Sequence, residues 1–502
     1  MQLTRIFGKA ALGLGALMLV ACQPAESRRA GLAPETSAVR SASEQREGDQ
    51  THPKLVVHFG GTYDDPRVTS YVNEIGQRIA RVSAQPNARW TFTVLDTPSV
   101  NAFATPGGYV YVTRGLVALA GDEAQLAGVI AHEIGHVVAG HSALRQERGT
   151  AAGLGLLAGA IGLAVLGVDP QLSRGIMDIG QTAAGGILAG YSRGDELDAD
   201  NLGVHYLARA GYDPYAQADF LDRMSASAAL TSRIAGGSYD PNRVDFLASH
   251  PATGPRTRQA IQVAEAAGAV GTAGADRHRD RFLAEIDGMV YGDSATQGFV
   301  DGRTFSHPKL RFTFTAPQSL TITNSAKEVV AKGPANSRFI LDGGRDRGGR
   351  LTDYVAGVWA PGIARNHRTG QLSALRSQRI NSVEAASAVL PVRLGNRTYD
   401  ALLVAYRHDG KLYRITGLAM RGSGLMPAMQ DAARSFRRLS AAEAAGLRQK
   451  RIRIVTVRRG DTAAGLAGRM NVDSHALGRF RVLNGLRPGA PLRAGERVKI
   501  VR

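Results

Sequence analysis

The stretch His132-Glu133-Ile134-Gly135-His136 has the pattern H-E-x-x-H, with apolar residues on both sides. Residues four apart lie on one face of a helix, so the two imidazoles can converge on a single metal ion. The carboxylate of Glu133, between them, then points towards a water molecule held by that ion. The spacing therefore predicts a buried helix with a zinc site and indicates a hydrolase. A surface helix with two chance histidines is the alternative.

Two β-rich runs and a helix start precede this motif. Residues 89–95 alternate like a strand, and residues 108–113 form a second run. Asp122, with Gln125 three residues later, predicts the N-cap of the motif helix. We expect the two runs to pair in a small sheet whose edge strand binds extended peptide by main-chain hydrogen bonds. The predicted substrate-binding edge residues are Gly108, Tyr109, Val110, Tyr111 and Val112.

A catalytic zinc ion needs a third protein ligand and an open position for water. One solution places a third histidine six positions after the second, with glycine at the third. Here those positions hold Ser142 and Ala139, and His141 is one residue too early, so we interpret His141 as a packed or solvent-facing helix residue. The other solution takes a glutamate from a later helix. Glu196, with Asp200 one turn on, fits it, and Asp200 can hold the second nitrogen of a ligand imidazole.

The N-terminal residues carry a targeting signal. A basic start followed by the apolar residues 10–21 is typical of a secretory signal peptide, and the run is too short to span a bilayer as a mature helix. Residues 19–22 resemble the bacterial lipobox, which implies lipidation of Cys22 and anchoring to a membrane. Gln23, rather than aspartate, favours the outer membrane. The alternative is an ordinary signal peptide cut near Ala21.

The length, composition and charge of the chain limit the number of domains and the class of protein. The length of 502 residues allows about three domains, and 44% apolar residues describe a globular protein. A single cysteine excludes intramolecular disulfides. Residues 23–52 lack apolar periodicity and predict a flexible tether. The net charge of +18 is concentrated in residues 448–502, which suits anionic lipid, acidic cell-wall polymer or nucleic acid. The exported location argues against nucleic acid.

Several segments together resemble the HtpX-type, prenyl-protease-type gluzincin metallopeptidases, particularly their periplasmic lipoprotein branch with BepA-like members. The matching segments are residues 101–108 with 113–116, the H-E-x-x-H motif and residues 196–200, and the resemblance covers about residues 55–265. It implies that His132, His136 and Glu196 bind one zinc ion per chain. Glu133 is then the general base, and Asp200 supports a ligand imidazole.

Residues 249–256 resemble a further segment of this family, one that approaches the active site. His250 is predicted either to act as a catalytic residue that stabilises the oxyanion, or to fill the fourth zinc position and keep the enzyme latent. A loop histidine with neither role is the alternative. Arg256 is predicted to pair with an acidic residue near the site, such as Asp200.

Residues 151–168 contain no charged residue, and their length permits a marginal transmembrane span. Glycine and alanine make up more than half of this run, which weakens insertion into a bilayer. Together with a softer apolar run at residues 185–190, it predicts a helical hairpin near the site that touches the membrane or covers the cleft.

The C-terminal half shows two further units. After a predicted linker at residues 266–285, residues 286–440 contain several strand patterns and one helix pattern, which predict an α+β accessory domain without a catalytic constellation. Residues 450–502 resemble a LysM module, a small β-α-α-β unit that binds N-acetylglucosamine polymers. This resemblance implies peptidoglycan as a partner. The richness in arginine departs from that family, and a basic docking tail is the alternative.

We therefore predict an α+β protein: a mainly helical zincin peptidase domain with a small sheet at residues 53–265, an α+β domain and a LysM-like module. The predicted function is a zinc-dependent metalloendopeptidase on the periplasmic face of the bacterial envelope that hydrolyses misfolded or stalled envelope proteins. The alternatives are a latent-site chaperone or scaffold for outer-membrane protein assembly, and a peptidoglycan-binding protein with a regulatory peptidase domain.

Overall fold

A three-stranded sheet with helices on both sides forms the first domain of the computed structural model. The structure describes residues 42–141, 191–234, 250, 254–269, 276–344, 346 and 348–502. The predicted signal peptide with Cys22, most of the predicted tether and the predicted hairpin at residues 151–168 lie outside these residues. Among the described helices, none combines the length and the apolar character needed to cross a membrane.

The elements of the first domain are mainly helices. In chain order they are α1 (Ala42–His58), α2 (Pro66–Val82), β1 (Thr91–Leu95), β2 (Ala102–Thr105), β3 (Tyr109–Thr113), α3 (Arg114–Leu119), α4 (Glu123–Val138), α5 (Arg193–Arg209), α6 (Ala216–Ile234), α7 (Gly254–Ala264) and α8 (Arg279–Ile286). A short π-helix, Glu265–Ala269, follows α7.

The strand order in the first sheet is β1-β3-β2, with β1 parallel and β2 antiparallel to β3. The prediction that residues 108–113 form the edge was therefore wrong, because β3 is paired on both sides. All five residues of β3 are buried, as expected for a central strand. Strand propensity predicts that a run forms a β-strand, but it does not predict how many other strands pair with it. In this sheet β1 and β2 are the edge strands.

Helix α1 corrects the predicted tether from residue 42 onwards. Its polar residues bind the sheet: Asp49 accepts a hydrogen bond from the Tyr109 hydroxyl, and Nδ1 of His52 lies 3.0 Å from the Tyr111 hydroxyl. Gly48 allows close packing, since a Cβ there would lie 2.3 Å from the Pro106 carbonyl oxygen. The polar composition that indicated a tether instead reflects contacts with tyrosines.

The predicted linker at residues 266–285 is also shorter than expected. Phe282, Leu283 and Ile286 of α8 are fully buried in the core of the first domain. The buried guanidinium of Arg114 also links the first domain to the segment after α8, because it donates to the carbonyl oxygen of Val290 at 2.9 Å. The first domain therefore extends beyond residue 265, through a helix whose short apolar pattern was missed.

The accessory domain is built from antiparallel sheets. Its elements are β4 (Phe299–Asp301), β5 (Thr304–His307), β6 (Phe312–Thr315), β7 (Thr321–Asn324), β8 (Glu328–Lys332), β9 (Arg338–Gly344), α9 (Leu351–Tyr354), α10 (Ala360–Ala364), β10 (Arg368–Thr369), β11 (Arg376–Ile380), β12 (Val383–Leu394), β13 (Arg397–His408), β14 (Lys411–Met420), α11 (Met426–Arg434), β15 (Arg437–Arg438) and α12 (Ala441–Gly446). The larger sheet has the order β10-β12-β13-β14-β9-β8-β7, with β11 also paired to β12, and the smaller one has the order β15-β6-β5-β4.

The C-terminal unit consists of β16 (Ile452–Thr456), α13 (Ala463–Gly468), α14 (Ala476–Asn484) and β17 (Arg497–Val501). This is the predicted β-α-α-β order, whereas sugar binding by the unit stays a prediction. The unit packs on the first domain. Nζ of the buried Lys499 donates to the carbonyl oxygens of Ala118 and Ala120 at 2.8 and 2.6 Å, and Arg223 donates to that of Leu483 at 3.0 Å. The α+β class is confirmed.

Replacement of Lys499 with methionine should loosen this contact. The change leaves the carbonyl oxygens at the end of α3 buried without a donor, which we expect to lower the free energy of unfolding by about 2–3 kcal/mol. Urea unfolding of the full chain measures the loss. Lys450→Met is the matched control, because Lys450 pairs with Asp473 at the surface and should change stability by less than about 0.5 kcal/mol. Equal losses would contradict the role assigned to Lys499.

Candidate metal centre

Helices α4 and α5 pack closely where the metal motifs face each other. A Cβ on Gly135 would lie 3.1 Å from the carbonyl oxygen of Ala199, and one on Gly203 would lie 3.2 Å from the backbone nitrogen of His132. Larger residues at either glycine would push the helices apart. Helix α4 begins after its predicted N-cap, Asp122, whose side chain accepts a hydrogen bond from the backbone N–H of Gln125. The two helices thus bring their motif residues to one point.

Four buried side chains converge at this point. They are His132, His136, Glu196 and His250, and their potential ligand atoms all lie within 4.8 Å of one another. Nε2 of His132 lies 3.0 Å from Nε2 of His136 and 3.2 Å from Nδ1 of His250. Nε2 of His136 lies 3.4 Å from Oε1 of Glu196. Donors bound to zinc at about 2.0–2.1 Å in a tetrahedron stand roughly 3.3 Å apart, so this set fits the metal.

Two buried polar atoms beside the cluster also need a partner. Oε2 of Glu133 and Nε2 of His250 form no hydrogen bond with any residue in the described ranges. Oε1 of Glu133 lies 3.5 Å from that same His250 nitrogen. Because an unpaired buried polar atom is costly, these two atoms indicate a place for water or a substrate carbonyl next to the metal donors.

Arg256 and Asp200 support the cluster from behind. Oδ1 of Asp200 lies 2.9 Å from Nδ1 of His132, on the side of the ring away from the other donors. Nε of Arg256 donates to Oδ2 of Asp200 at 2.7 Å, and another guanidinium nitrogen lies 2.6 Å from Oε2 of Glu196. Gln217 also donates to Asp200, at 3.1 Å. The predicted pair of Arg256 and Asp200 is present, and Arg256 also holds the predicted third ligand.

For His136 and Glu196, the electrostatics favour the protonation states that bind a metal. Burial lowers the pKa of His136 well below its usual value, which keeps the imidazole neutral. Burial alone would raise the pKa of Glu196, but the positive charges of His250 and Arg256 outweigh it and hold the pKa well below the usual range. A neutral imidazole and an ionised carboxylate are the forms in which these groups ligate metals.

His136 has two neighbours beyond the cluster. Nδ1 of His141 lies 2.9 Å from Nδ1 of His136, and the His141 side chain is buried, so the packed interpretation of His141 holds and the solvent-facing one does not. The ring of Tyr191 stacks on His136 with centroids 3.8 Å apart. Sequence reasoning missed Tyr191. The capping box of Ser192 and Asp195 marks the start of α5 and so places Tyr191 just before the helix that carries Glu196.

An apolar cavity of about 30 Å³ opens beside His132 and Glu133. Its apolar lining consists of Val100, Leu116, Val129, Phe220, Leu221 and Met224. Asn101 and Ala102, where β2 begins, also line it. The edge strand next to the site is therefore β2, and the predicted substrate-binding residues of β3 lie one strand further away.

Comparison with known proteins agrees with this geometry. The model of peptidase family M48 matches residues 66–264. The chain is 33% identical over 178 residues to the beta-barrel assembly-enhancing protease of Escherichia coli, covering 34% of this chain and 35% of that protein. It is 31% identical over 191 residues to the mitochondrial metalloendopeptidase OMA1 of Schizosaccharomyces pombe (38% and 51%), and 34% identical over 151 residues to the metalloprotease YcaL of Escherichia coli (29% and 57%).

The chain spans about a third of the length of the assembly-enhancing protease, and the match is confined to the region that holds the metal centre. The accessory domain and the C-terminal unit lie outside it. Within the match, the four converging donors and the adjacent glutamate have the arrangement expected of a metallopeptidase. Residues 66–264 are thus similar to peptidase family M48.

Proposed function

We propose that the first domain is a zinc-dependent endopeptidase. The observation that carries this proposal is the convergence of His132, His136, Glu196 and His250, with the unpaired carboxylate oxygen of Glu133 beside them. Three nitrogen donors and one carboxylate suit zinc, which accepts imidazole and carboxylate ligands in a tetrahedral arrangement.

Zinc at this site would polarise the scissile carbonyl and make a water molecule more acidic. Glu133 accepts the proton of the attacking water and delivers it to the nitrogen of the leaving amine. Asp200 fixes the orientation of the His132 ring by holding its second nitrogen. Arg256 neutralises the buried charge of Asp200 and Glu196, so both carboxylates stay ionised in an apolar surrounding.

The substrate is an extended polypeptide. Among the described strands, β2 is the edge nearest the site, and an extended peptide can pair with it through main-chain hydrogen bonds. The apolar cavity beside Glu133 then receives a small side chain next to the scissile bond. Its volume of about 30 Å³ and its lining without charged groups, apart from the catalytic cluster and Arg256, favour small aliphatic side chains.

His250 regulates the site by occupying one donor position. Its Nδ1 lies 2.8 Å from Oε1 of Glu196 and points into the donor set, where a fourth ligand would displace water. The same placement favours a second function, a latent-site chaperone or scaffold, in which the closed site binds polypeptide without cleavage. Displacement of His250 by substrate would convert the latent form into the active one.

The cellular setting extends the proposal. The lipobox-like residues 19–22 support attachment through Cys22 to a bacterial envelope membrane, with the domain on the periplasmic side. The name of the Escherichia coli relative, a beta-barrel assembly-enhancing protease, supports unfolded or misassembled envelope polypeptides as substrates. Peptidoglycan binding through residues 450–502 completes this proposal.

Glu133→Gln should abolish hydrolysis and leave zinc binding intact, since the amide cannot accept a proton but does not alter the donors. Casein digestion and zinc content of the purified protein measure the two properties. Glu196→Ala should instead lose both, because it removes a donor. Hydrolysis that survives Glu133→Gln and a chelator would rule out the endopeptidase, and full zinc content in Glu196→Ala would rule out the assigned ligand.

His250→Ala should raise the rate of casein cleavage by about tenfold or more if His250 blocks the water position. Zinc should remain bound through the other three donors. The matched control is His205→Ala, since His205 lies on α5 outside the cluster. A loss of cleavage with zinc retained would instead assign His250 to stabilisation of the oxyanion. An unchanged rate would show that His250 has neither role.

Val100→Trp should fill the apolar cavity and change the cleavage preference. Peptides with alanine or valine next to the scissile bond should lose about tenfold or more in kcat/KM, whereas glycine peptides should be cleaved as before. Cleavage-site profiling by mass spectrometry measures the shift. Val57→Trp, at an exposed position of α1, is the control. An unchanged profile would show that side-chain selection occurs elsewhere.

A further inference from the structure

The larger sheet of the accessory domain has a groove on one face. Helix α11 packs over β13 and β14, where Gly417 allows close approach: a Cβ there would lie 3.0 Å from the Cβ of Met429. The same face continues over β12 and β11, beyond the reach of the helix. The uncovered part forms a cavity of about 300 Å³, outside the metal centre and outside the family match.

The register of the strands shows which side chains form the floor. Opposed residues of antiparallel strands share a face, so Arg376, Ser387 and Val404 form one row across β11, β12 and β13. Val389 and Leu402 form the next row. The floor is thus apolar at β13, where Leu402 and Val404 are buried, and becomes polar towards β11.

The rim of the groove is cationic. Arg376 on β11 and Arg434 on α11 both line the cavity, and the lining contains no carboxylate. The side chain of Arg376 makes no hydrogen bond or ion pair with any residue that the structure describes, and the side chain of Arg434 is paired only with the exposed Asp431, one turn back. Asp400, on the same face one row beyond Leu402, is already bound by Arg421 at 2.5 Å. An anion bound at the rim would therefore meet two available guanidinium groups.

We propose that this groove binds a single-chain alkyl anion, such as a free fatty acid or an alkyl phosphate. The apolar body lies over Val389, Leu402 and Val404, while the head group contacts Arg376 and Arg434. A volume near 300 Å³ is at the lower end of ligand pockets, about 300–1,000 Å³, which suits one chain of medium length and excludes a two-chain lipid. Arginine binds carboxylate and phosphate alike, so both head groups share this chemistry.

The test is calorimetric titration of the purified full chain below the micelle concentration of each probe. The probes are decanoate, decyl phosphate and decyltrimethylammonium, which share the chain and differ in head group. Both anions should bind with one site per chain, and the cation should not. A preference for decyl phosphate would assign the groove to phospholipid fragments, and a preference for decanoate would assign it to free fatty acids.

Two variants locate the site. Arg376→Glu reverses the charge at the rim and should weaken anion binding at least tenfold, and Ser387→Trp fills the floor and should abolish it. Arg379→Glu is the matched control, because Arg379 lies on the other face of the same strand and donates to the Ser382 carbonyl oxygen. It should leave the Kd within twofold. Urea unfolding of each variant establishes that the domain remains folded.

Several outcomes would overturn the proposal. Equal binding of the cation would remove the role of the two arginines. A Kd within twofold for both Arg376→Glu and Ser387→Trp would place any anion site elsewhere. Absence of binding by both decanoate and decyl phosphate would rule out the proposed class of ligand.

Discussion

The close contact between α4 and α5 is the constraint on which the metal centre depends. Glycines at positions 135 and 203 let the two backbones approach closely, Gly135 beside Ala199 and Gly203 beside His132. Only at this separation can Glu196, near the start of one helix, reach the imidazoles on the other. The sheet, α2 and α6 pack around this pair, and the interior they form keeps bulk water from the donors. A single added methyl group at either glycine would require a shift of a few tenths of an ångström between the two halves of the site.

Burial of so many ionisable groups requires that their charges compensate. Arg256 contributes one positive charge between two carboxylates, and a metal ion would supply the rest of the balance. Asp200 contacts both Arg256 and His132, so the guanidinium of Arg256 helps to orient His132 without contacting it. The arginine reaches the site from α7, a separate segment of the chain. Metal binding and the packing of α7 are consequently coupled, because the metal ion and Arg256 of α7 compensate the negative charge of the same buried carboxylates.

His132 and His136 were predictable because their spacing repeats helical geometry, which is a local property of the chain. The same holds for the N-cap Asp122 and for the main strands of the accessory domain. Glu196, 60 residues after His136, was instead identified through the family resemblance. Pairing was less accessible: the sequence identified β3 as a strand, but its central position depends on β1 and β2 together. Residues 42–52 were misjudged because polar side chains on a helix that binds tyrosines have the same composition as a solvated tether. The groove beside α11 depends on the length of that helix relative to the width of the sheet, which no single motif encodes.

The buried lysine of the C-terminal unit has a kinetic consequence. Nζ of Lys499 and the carbonyl oxygen of Ala120 are separated by 379 positions in the chain, so their contact closes a very long loop. The entropic cost of such closure grows only slowly with loop length, but contacts between residues far apart in sequence slow folding. The end of α3 therefore takes a hydrogen-bond donor from a residue that lies beyond the accessory domain in the chain. Fragments cut at residue 264 would lack both this donor and helix α8, so the boundary of a family match is not a boundary at which the chain can be divided.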